Sequence, residues 1–175
     1  MIPRPEPDEY SAYYAAYVAA APDGDLLSVM ERRVEEWRRL ARAVGEERAA
    51  QPSAPGKWSM RDTIQHVVDT ERVMAYRALR AARGDATPLS PFEQDDFVRV
   101  AGANDRTCDD LIGELEAVRH ATIALFRPLS DEALARRGIA SGAPITARAL
   151  AYIIAGHELS HLRLLGERLL GTSAS

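Results

Sequence analysis

The sequence predicts an all-α fold: a four-helix bundle with an extra N-terminal helix and a long crossover between helices 2 and 3. Three observations support this prediction. Four stretches of the chain repeat apolar residues at spacings of three and four, which places those residues on one helix face. The connection between the second and third stretches, residues 84–106, is much the longest. Strand signals are absent throughout.

Length and composition limit the classes of protein to which this chain can belong. At 175 residues it fits one domain, residues 1–175, with a strap helix in 1–24 and the bundle in 25–171. A net charge of -4 without a concentrated basic stripe argues against nucleic acid as a partner. Cys108 is the only cysteine, so no intramolecular disulfide can form, and a cytoplasmic location is expected. The apolar runs are too short to span a membrane, and the acidic, proline-rich start is unlike a signal peptide.

The N-terminal segment is predicted to form a short helix with tyrosines on one face. Tyr10, Tyr13, Tyr14 and Tyr17 recur at the spacing of one helix face. The favoured interpretation is a strap laid against the bundle. Because tyrosine has a polar tip, the same face could also roof a ligand pocket.

The first two bundle helices have clear start signals. Asp25 is a plausible cap for a helix that should run to about Glu47. Residues 51–57 form a short connection, so the second helix should return antiparallel. Ser59 followed by Asp62 resembles a capping box at its start.

The second half of the chain is predicted to contain two loops and two helices. Residues 84–106 are expected to be a loop that crosses the bundle end or serves a site. Thr107 with Asp110 again resembles a capping box and opens the third helix. Residues 131–143 are expected to be a loop, and the fourth helix should start between 144 and 147 and end near Gly171.

Two of the four histidines, His157 and His161, lie four residues apart in the apolar run of the fourth helix. This spacing places both imidazoles on one helix face, among core-facing leucines and isoleucines. Buried imidazoles need partners for their ring nitrogens, and a divalent metal would satisfy both together. The segment also matches the H-E-x-x-H pattern of zinc proteases, in which the glutamate, here Glu158, is the general base. Glu158 lies roughly 80° off the ligand face, so an ion-pairing or ligand-orienting role is favoured over a catalytic one.

A third metal ligand must come from elsewhere, because no histidine or cysteine follows His161. His66 in the second helix is the obvious donor, and three imidazoles with a vacant position are typical of a catalytic metal site. By helix periodicity, however, His66 lies more than 100° from the centre of the buried stripe. The pattern alone therefore leaves open whether His66 binds metal or simply faces a flanking helix. Glu71, near the centre of that stripe, should either pair with a buried cation such as an arginine or orient a ligand histidine.

Two motifs together indicate a family. The stretch from Trp58 to His66 has the pattern W-S-x-x-D-x-x-x-H, and the stretch from Gly156 to His161 has the pattern G-H-x-x-x-H. In these motifs the chain resembles the DinB-like (damage-inducible) four-helix metalloenzymes, which include mycothiol-dependent maleylpyruvate isomerase and bacillithiol S-transferases. Where many members carry a histidine just before the last ligand, this sequence has Ser160. The resemblance implies that a divalent metal is bound by His66, His157 and His161.

The leading hypothesis is an enzyme with a small-molecule substrate and a three-histidine divalent metal, zinc or nickel, that activates water or a thiolate. By resemblance, the thiolate would belong to bacillithiol or mycothiol, and the reaction would be S-transfer or hydrolysis. The alternative is a non-catalytic stress-response bundle whose metal is structural or absent. A homodimer is also expected, since cyclic dimers are the commonest oligomers.

Overall fold

The computed structural model describes residues 1–171, and these are mainly helical, as predicted. In chain order the helices are α1 (Ala15–Ala20), α2 (Leu26–Val44), α3 (Glu46–Ala49), α4 (Met60–Ala82), α5 (Gln94–Val100), α6 (Cys108–Phe126), α7 (Asp131–Ala135) and α8 (Ala147–Leu170). A hairpin of β1 (Arg137–Ala140) and β2 (Ala143–Thr146) precedes α8. In the described part of the chain, no helix combines the length and apolar character that crossing a bilayer requires.

Helices α2, α4, α6 and α8 form the four-helix bundle. Helix α4 packs against both α6 and α8, and α2 packs against the same two helices. Helices α2 and α4 therefore lie across the diagonal of the bundle, although a short connection joins them. The large side chains with almost no exposed surface come from all four helices, and include Trp37, Ile64, Leu111, Leu115, Leu150 and Ile153.

Polar caps begin the first two bundle helices where the sequence predicts them. The Asp25 carboxylate accepts a backbone hydrogen bond at the start of α2, and Ser59 and Asp62 form a reciprocal capping box at the start of α4. Helix α2 ends three residues before the predicted Glu47. The reason is Gly45, whose φ of 80° interrupts the helix before the short α3.

Two segments predicted to be loops contain regular structure. Residues 84–106 include α5, and residues 131–143 include α7 and β1. The prediction that strands are absent is also wrong, since β1 and β2 pair antiparallel. Ser141 and Gly142 connect them with φ values of 52° and 79°, as a two-residue hairpin turn requires. Strands of four residues, one of them containing Pro144, show too little alternation for periodicity to detect.

The N-terminal segment lies against the bundle through α1, which packs along α8. Its regular part is divided differently from the prediction: Ala12–Tyr14 form a 3-10 turn, α1 begins at Ala15, and Tyr10 precedes both. The two backbones come unusually close beside Gly156, where a Cβ atom would stand 1.8 Å from the carbonyl oxygen of Tyr17. Glycine at this position therefore allows α1 to touch α8 one residue before His157.

Candidate metal centre

The structure brings the three predicted metal ligands together in the bundle. His66 projects from α4, and His157 and His161 project from successive turns of α8. The Nε2 atom of His157 lies 3.0 Å from Nε2 of His66 and 3.1 Å from Nε2 of His161. Within the described residues, these three imidazoles offer ligand atoms that all lie within 4.8 Å of one another. We refer to them below as the histidine triad.

The donor set fits a divalent transition metal. Three nitrogen ligands at about 2.0–2.1 Å in tetrahedral geometry would stand about 3.3 Å apart, close to the separations observed here. Hydrogen bonds alone cannot satisfy all three imidazoles. His157 Nε2 lies at hydrogen-bond distance from two other ring nitrogens, but in either neutral tautomer it can either donate one bond or accept one, so only one of the two contacts is satisfied. The other ring nitrogen of His66, Nδ1, lies 3.5 Å from Thr70 Oγ1. A hydroxyl at that position helps to fix the orientation of the ring.

The triad is electrically neutral at physiological pH. Burial, and secondarily the electrostatic influence of His161, lower the pKa of His66 to about 3. Burial also lowers the pKa of His161 to about 4 and places the pKa of His157 well below 6.5. Unprotonated imidazoles have free lone pairs, which is the state that metal binding requires.

Aromatic side chains border the triad. The ring of Trp58 lies 4.7 Å from that of His66 and stacks at 6.5 Å on His161. Tyr17 of α1 meets His157 edge-on, with the ring centroids 5.2 Å apart. These apolar faces lower the local dielectric around the donor atoms and support their neutral form.

Comparison with known proteins agrees with this geometry. The family model described as the DinB superfamily matches residues 30–165, which include all three histidines. The chain belongs to the DinB superfamily. The family inferred from the two sequence motifs is thereby confirmed, and so is the four-helix architecture.

A solved structure supports the same fold. The chain is similar to YfiT from Bacillus subtilis, described as a probable metal-dependent hydrolase with an unusual four-helix bundle topology. The two share 17% sequence identity and superpose with a TM-score of 0.70 over 95% of this chain and 93% of that chain. At this identity the likeness establishes the fold alone. No curated protein sequence matches the chain.

Glu158, the candidate general base, is engaged in a buried ion-pair network. Its Oε1 atom accepts a hydrogen bond from Trp37 Nε1 at 3.0 Å and pairs with Arg119 at 2.9 Å. Arg119 also binds Glu71 at 2.8 Å, so the predicted arginine partner of Glu71 is confirmed. Burial raises the pKa of Glu158, and the positive charge of Arg119 opposes that rise. The carboxylate is thus directed toward α2 and α6, and it is not part of the triad's group of ligand atoms.

Three of the four tyrosines of the predicted face, Tyr13, Tyr14 and Tyr17, line a cavity beside the triad. The cavity has a volume of about 370 Å³ and reaches His157. Its walls come from α1, α4, the crossover, the hairpin and α8, and include Tyr14, Tyr17, Thr70, Met74, Arg77, Phe92, Ser141, Ile153 and His157. A second cavity, of about 230 Å³, borders His161 and Trp58.

Several residues of this DinB site were not singled out by the sequence analysis. Counting about 100° per residue from His66, Thr70 falls roughly 40° away and Arg77 roughly 20° away on the helix wheel. That periodicity was the available signal for Arg77. Ser141 could not be found in this way, because its position depends on an unpredicted hairpin.

Cys108 lies at the start of α6, where the helix N-terminus could have lowered the pKa of its thiol. Burial instead raises that pKa to about 11.

Proposed function

We propose that this protein is a metal-dependent enzyme of the hydrolase or thiol S-transferase type. The histidine triad would hold one divalent ion, zinc or nickel, for action on a small molecule. When bound, such an ion supplies Lewis-acid chemistry, which lowers the pKa of water or of a thiol such as bacillithiol or mycothiol. The observation that carries this proposal is the convergence of three neutral imidazole nitrogens around His157, a residue that also lines a cavity.

The protein groups around the triad have distinct tasks in this proposal. The three imidazoles bind the ion and leave a further coordination position, as catalytic three-ligand sites do. Thr70 orients His66 through its hydroxyl. Tyr17 and Trp58 exclude bulk water from the donor atoms and so strengthen electrostatic interactions within the site.

Glu158 is proposed to position α8 and not to transfer protons. Its only polar contacts, to Trp37 and Arg119, join α8 to α2 and α6 within the described structure. A general base must reach the proton that it removes at hydrogen-bond distance. The buried ion pair stands in the way of that role, because moving the carboxylate would leave Arg119 with one glutamate fewer in an apolar interior.

The YfiT comparison favours hydrolysis as the first reaction to assay. YfiT is described as a probable metal-dependent hydrolase. Water and a small thiol are both suitable nucleophiles for the proposed site, so activity assays should offer ester and amide substrates with and without low-molecular-weight thiols. Turnover that disappears with chelator and returns with zinc or nickel would support the enzyme over the non-catalytic bundle.

The test of the metal site is the metal content of protein purified without an affinity tag. We expect about one divalent ion per chain, and less than a tenth of that in His66→Ala and His157→Ala. His120→Ala is the matched control, since His120 is exposed on α6 and lies outside the triad. Undiminished stoichiometry in either triad variant would remove the basis of the proposal. A wild-type protein that binds no metal from zinc or nickel solutions would do the same.

A further inference from the structure

We propose that the cavity beside His157 binds its substrate through a carboxylate that pairs with Arg77. This inference rests on the proposed function, because it treats the same cavity as the substrate site of the metal centre. It adds the chemical class of the substrate: a small carboxylic acid with an apolar body.

The first observation is the position of Arg77. Its side chain is only 2% exposed, yet it lines the cavity that reaches His157. Its guanidinium carbon lies 5.7 Å from the ring centroid of Phe92, another wall residue. Arg77 follows His66 by eleven residues on one face of α4, which places its Cα about 16 Å further along the helix axis. Helical side chains lean toward the N-terminus, so the guanidinium is carried back toward the triad.

The second observation is that Arg77 lacks an acidic partner. Its Nη2 donates to the carbonyl oxygen of Ser90 at 2.8 Å and to Ser141 Oγ at 3.1 Å. Its Nη1 contacts only the sulfur of Met74, at 3.8 Å, and thioether sulfur is a weak acceptor. No carboxylate of the described residues forms an ion pair with it. A buried charge normally requires such a partner, as Arg119 has in two glutamates.

The third observation is the hairpin turn that holds the guanidinium. Ser141 has a φ of 52°, a left-handed conformation that non-glycine residues rarely adopt. This strained residue presents its hydroxyl to Arg77. The Ser90 carbonyl is fixed from the other side, because the crossover next to it is hydrogen-bonded to β1. Both N–H groups of Nη2 thus donate hydrogen bonds within the protein, and those of Nη1 remain free to donate to a ligand.

The chemistry of the walls indicates the rest of the substrate. Tyr14, Tyr17, Met74 and Phe92 offer aromatic and thioether surfaces suited to an apolar body. The wall contains one buried cation, and the exposed Glu93 brings a negative charge to the same cavity. A single positive charge opposed by a carboxylate suits a monoanion better than a phosphate dianion. Arginine binds carboxylates well because its planar fork matches their two oxygens.

The test is calorimetric titration with three matched probes: 3-phenylpropanoate, its neutral amide, and 2-phenylethyl phosphate. Each is titrated into metal-free and zinc-loaded protein, because a carboxylate can also bind zinc directly. In both forms we expect the acid to bind at least 10-fold more tightly than the amide and more tightly than the phosphate. Arg77→Gln should weaken binding of the acid about 10- to 100-fold and leave the amide nearly unchanged. Arg72→Gln, an exposed arginine on the same helix, is the control and should leave all affinities unchanged.

Arg77→Lys is a second variant that still tests the inference if Arg77→Gln fails to fold. It keeps the charge but loses the fork, so we expect a smaller preference for the acid that remains above the amide. Equal affinity for acid and amide in the metal-free wild type, no binding of the acid at millimolar concentration, or tighter binding of the phosphate would each overturn the inference. A preference for the acid that Arg77→Gln leaves intact would also overturn it. Because the metal-free arm needs no metal site, an Arg77-dependent preference in a protein that fails to bind zinc would refute only the proposed function.

Discussion

Replacement of Gly156 by alanine tests how the N-terminal strap is seated on the metal centre. A Cβ at this position would stand 1.8 Å from the carbonyl oxygen of Tyr17 and 2.6 Å from its carbonyl carbon. Both atoms belong to the backbone, so no side-chain rotation can relieve the contact. The α1 backbone must therefore move until the separation approaches the 3.4 Å at which ordinary contact begins. That movement carries Tyr17 away from the ring of His157.

The change in the free energy of unfolding expected for Gly156→Ala is the balance of two opposing effects. Alanine in a helix interior is favoured over glycine by about 0.8–1 kcal/mol, and insertion of a methyl group into a packed contact costs about 1–3 kcal/mol or more. Gly113→Ala isolates the first term, because Gly113 is exposed in the middle of α6 and a Cβ there meets nothing within 4 Å. We expect Gly113→Ala to stabilise the protein, and Gly156→Ala to be less stable than that variant by about 1–3 kcal/mol. In a protein of this size the difference corresponds to roughly 2–12 °C in melting temperature.

The assay is urea unfolding of wild type and both variants, followed by circular dichroism, with tyrosine fluorescence as a second probe. Tyrosine emission should change in Gly156→Ala before the helical signal is lost, since α1 is displaced while the bundle remains. If both glycine variants gain the same stability, the close packing of α1 on α8 is refuted. A tyrosine signal of Gly156→Ala that matches wild type in the absence of urea would also refute this packing.

Two further predictions concern the buried polar groups. In metal-free protein, the free energy of unfolding should fall by about 1.4 kcal/mol per triad histidine between pH 7.5 and pH 5.5. The folded-state pKa values of His66 (about 3) and His161 (about 4) lie below the unfolded value of 6.5. The unfolded chain therefore takes up protons first as the pH falls, and this favours unfolding. Urea midpoints in chelator at the two pH values check this, and identical midpoints would contradict it. Arg119→Met should destabilise the protein by about 3–5 kcal/mol, because two buried glutamates lose their cation. The exposed Arg72→Gln should cost no more than about 1 kcal/mol in the same denaturation experiment, and a similar small loss for both would contradict the buried network.

The bundle could be predicted because its signals are local. Apolar periodicity and caps such as Asp25 and Ser59 act within a few residues, and the structure shows those caps in place. The hairpin was missed because its stability is not local. Leu89 of the crossover donates to the carbonyl oxygen of Ile139 and accepts from the N–H of Ser141, both at 2.9 Å. A pattern search along the chain cannot anticipate hydrogen bonds between segments fifty residues apart.

Only part of the candidate site could be predicted from the sequence pattern: the two histidines of α8 could, but the role of His66 could not. His157 and His161 could be found by their i, i+4 spacing within an apolar run, and α8 is in fact buried on every side from Ala149 to Leu159. On the helix wheel, His66 lies more than 100° from the centre of the apolar stripe of α4. The apolar pattern therefore could not decide whether His66 binds metal. Helix α4 packs against α6, α8, α5 and the hairpin, so it has more than one buried face, and His66 is only 3% exposed. A second buried face breaks the rule that a helix has one apolar stripe and one solvated side.

That second face also explains how one helix can serve both ends of the proposed substrate site. Thr70 and Arg77 fall within roughly 40° of His66 on the helix wheel, and both line the cavity. Burial of a polar series at helical spacing is unfavourable unless each member finds a partner. His66 meets the other imidazoles, Thr70 lies beside His66, and Arg77 contacts Ser90 and Ser141. The member left with an unmatched charge is Arg77, and it is therefore the position where the structure calls for a ligand that the chain does not provide.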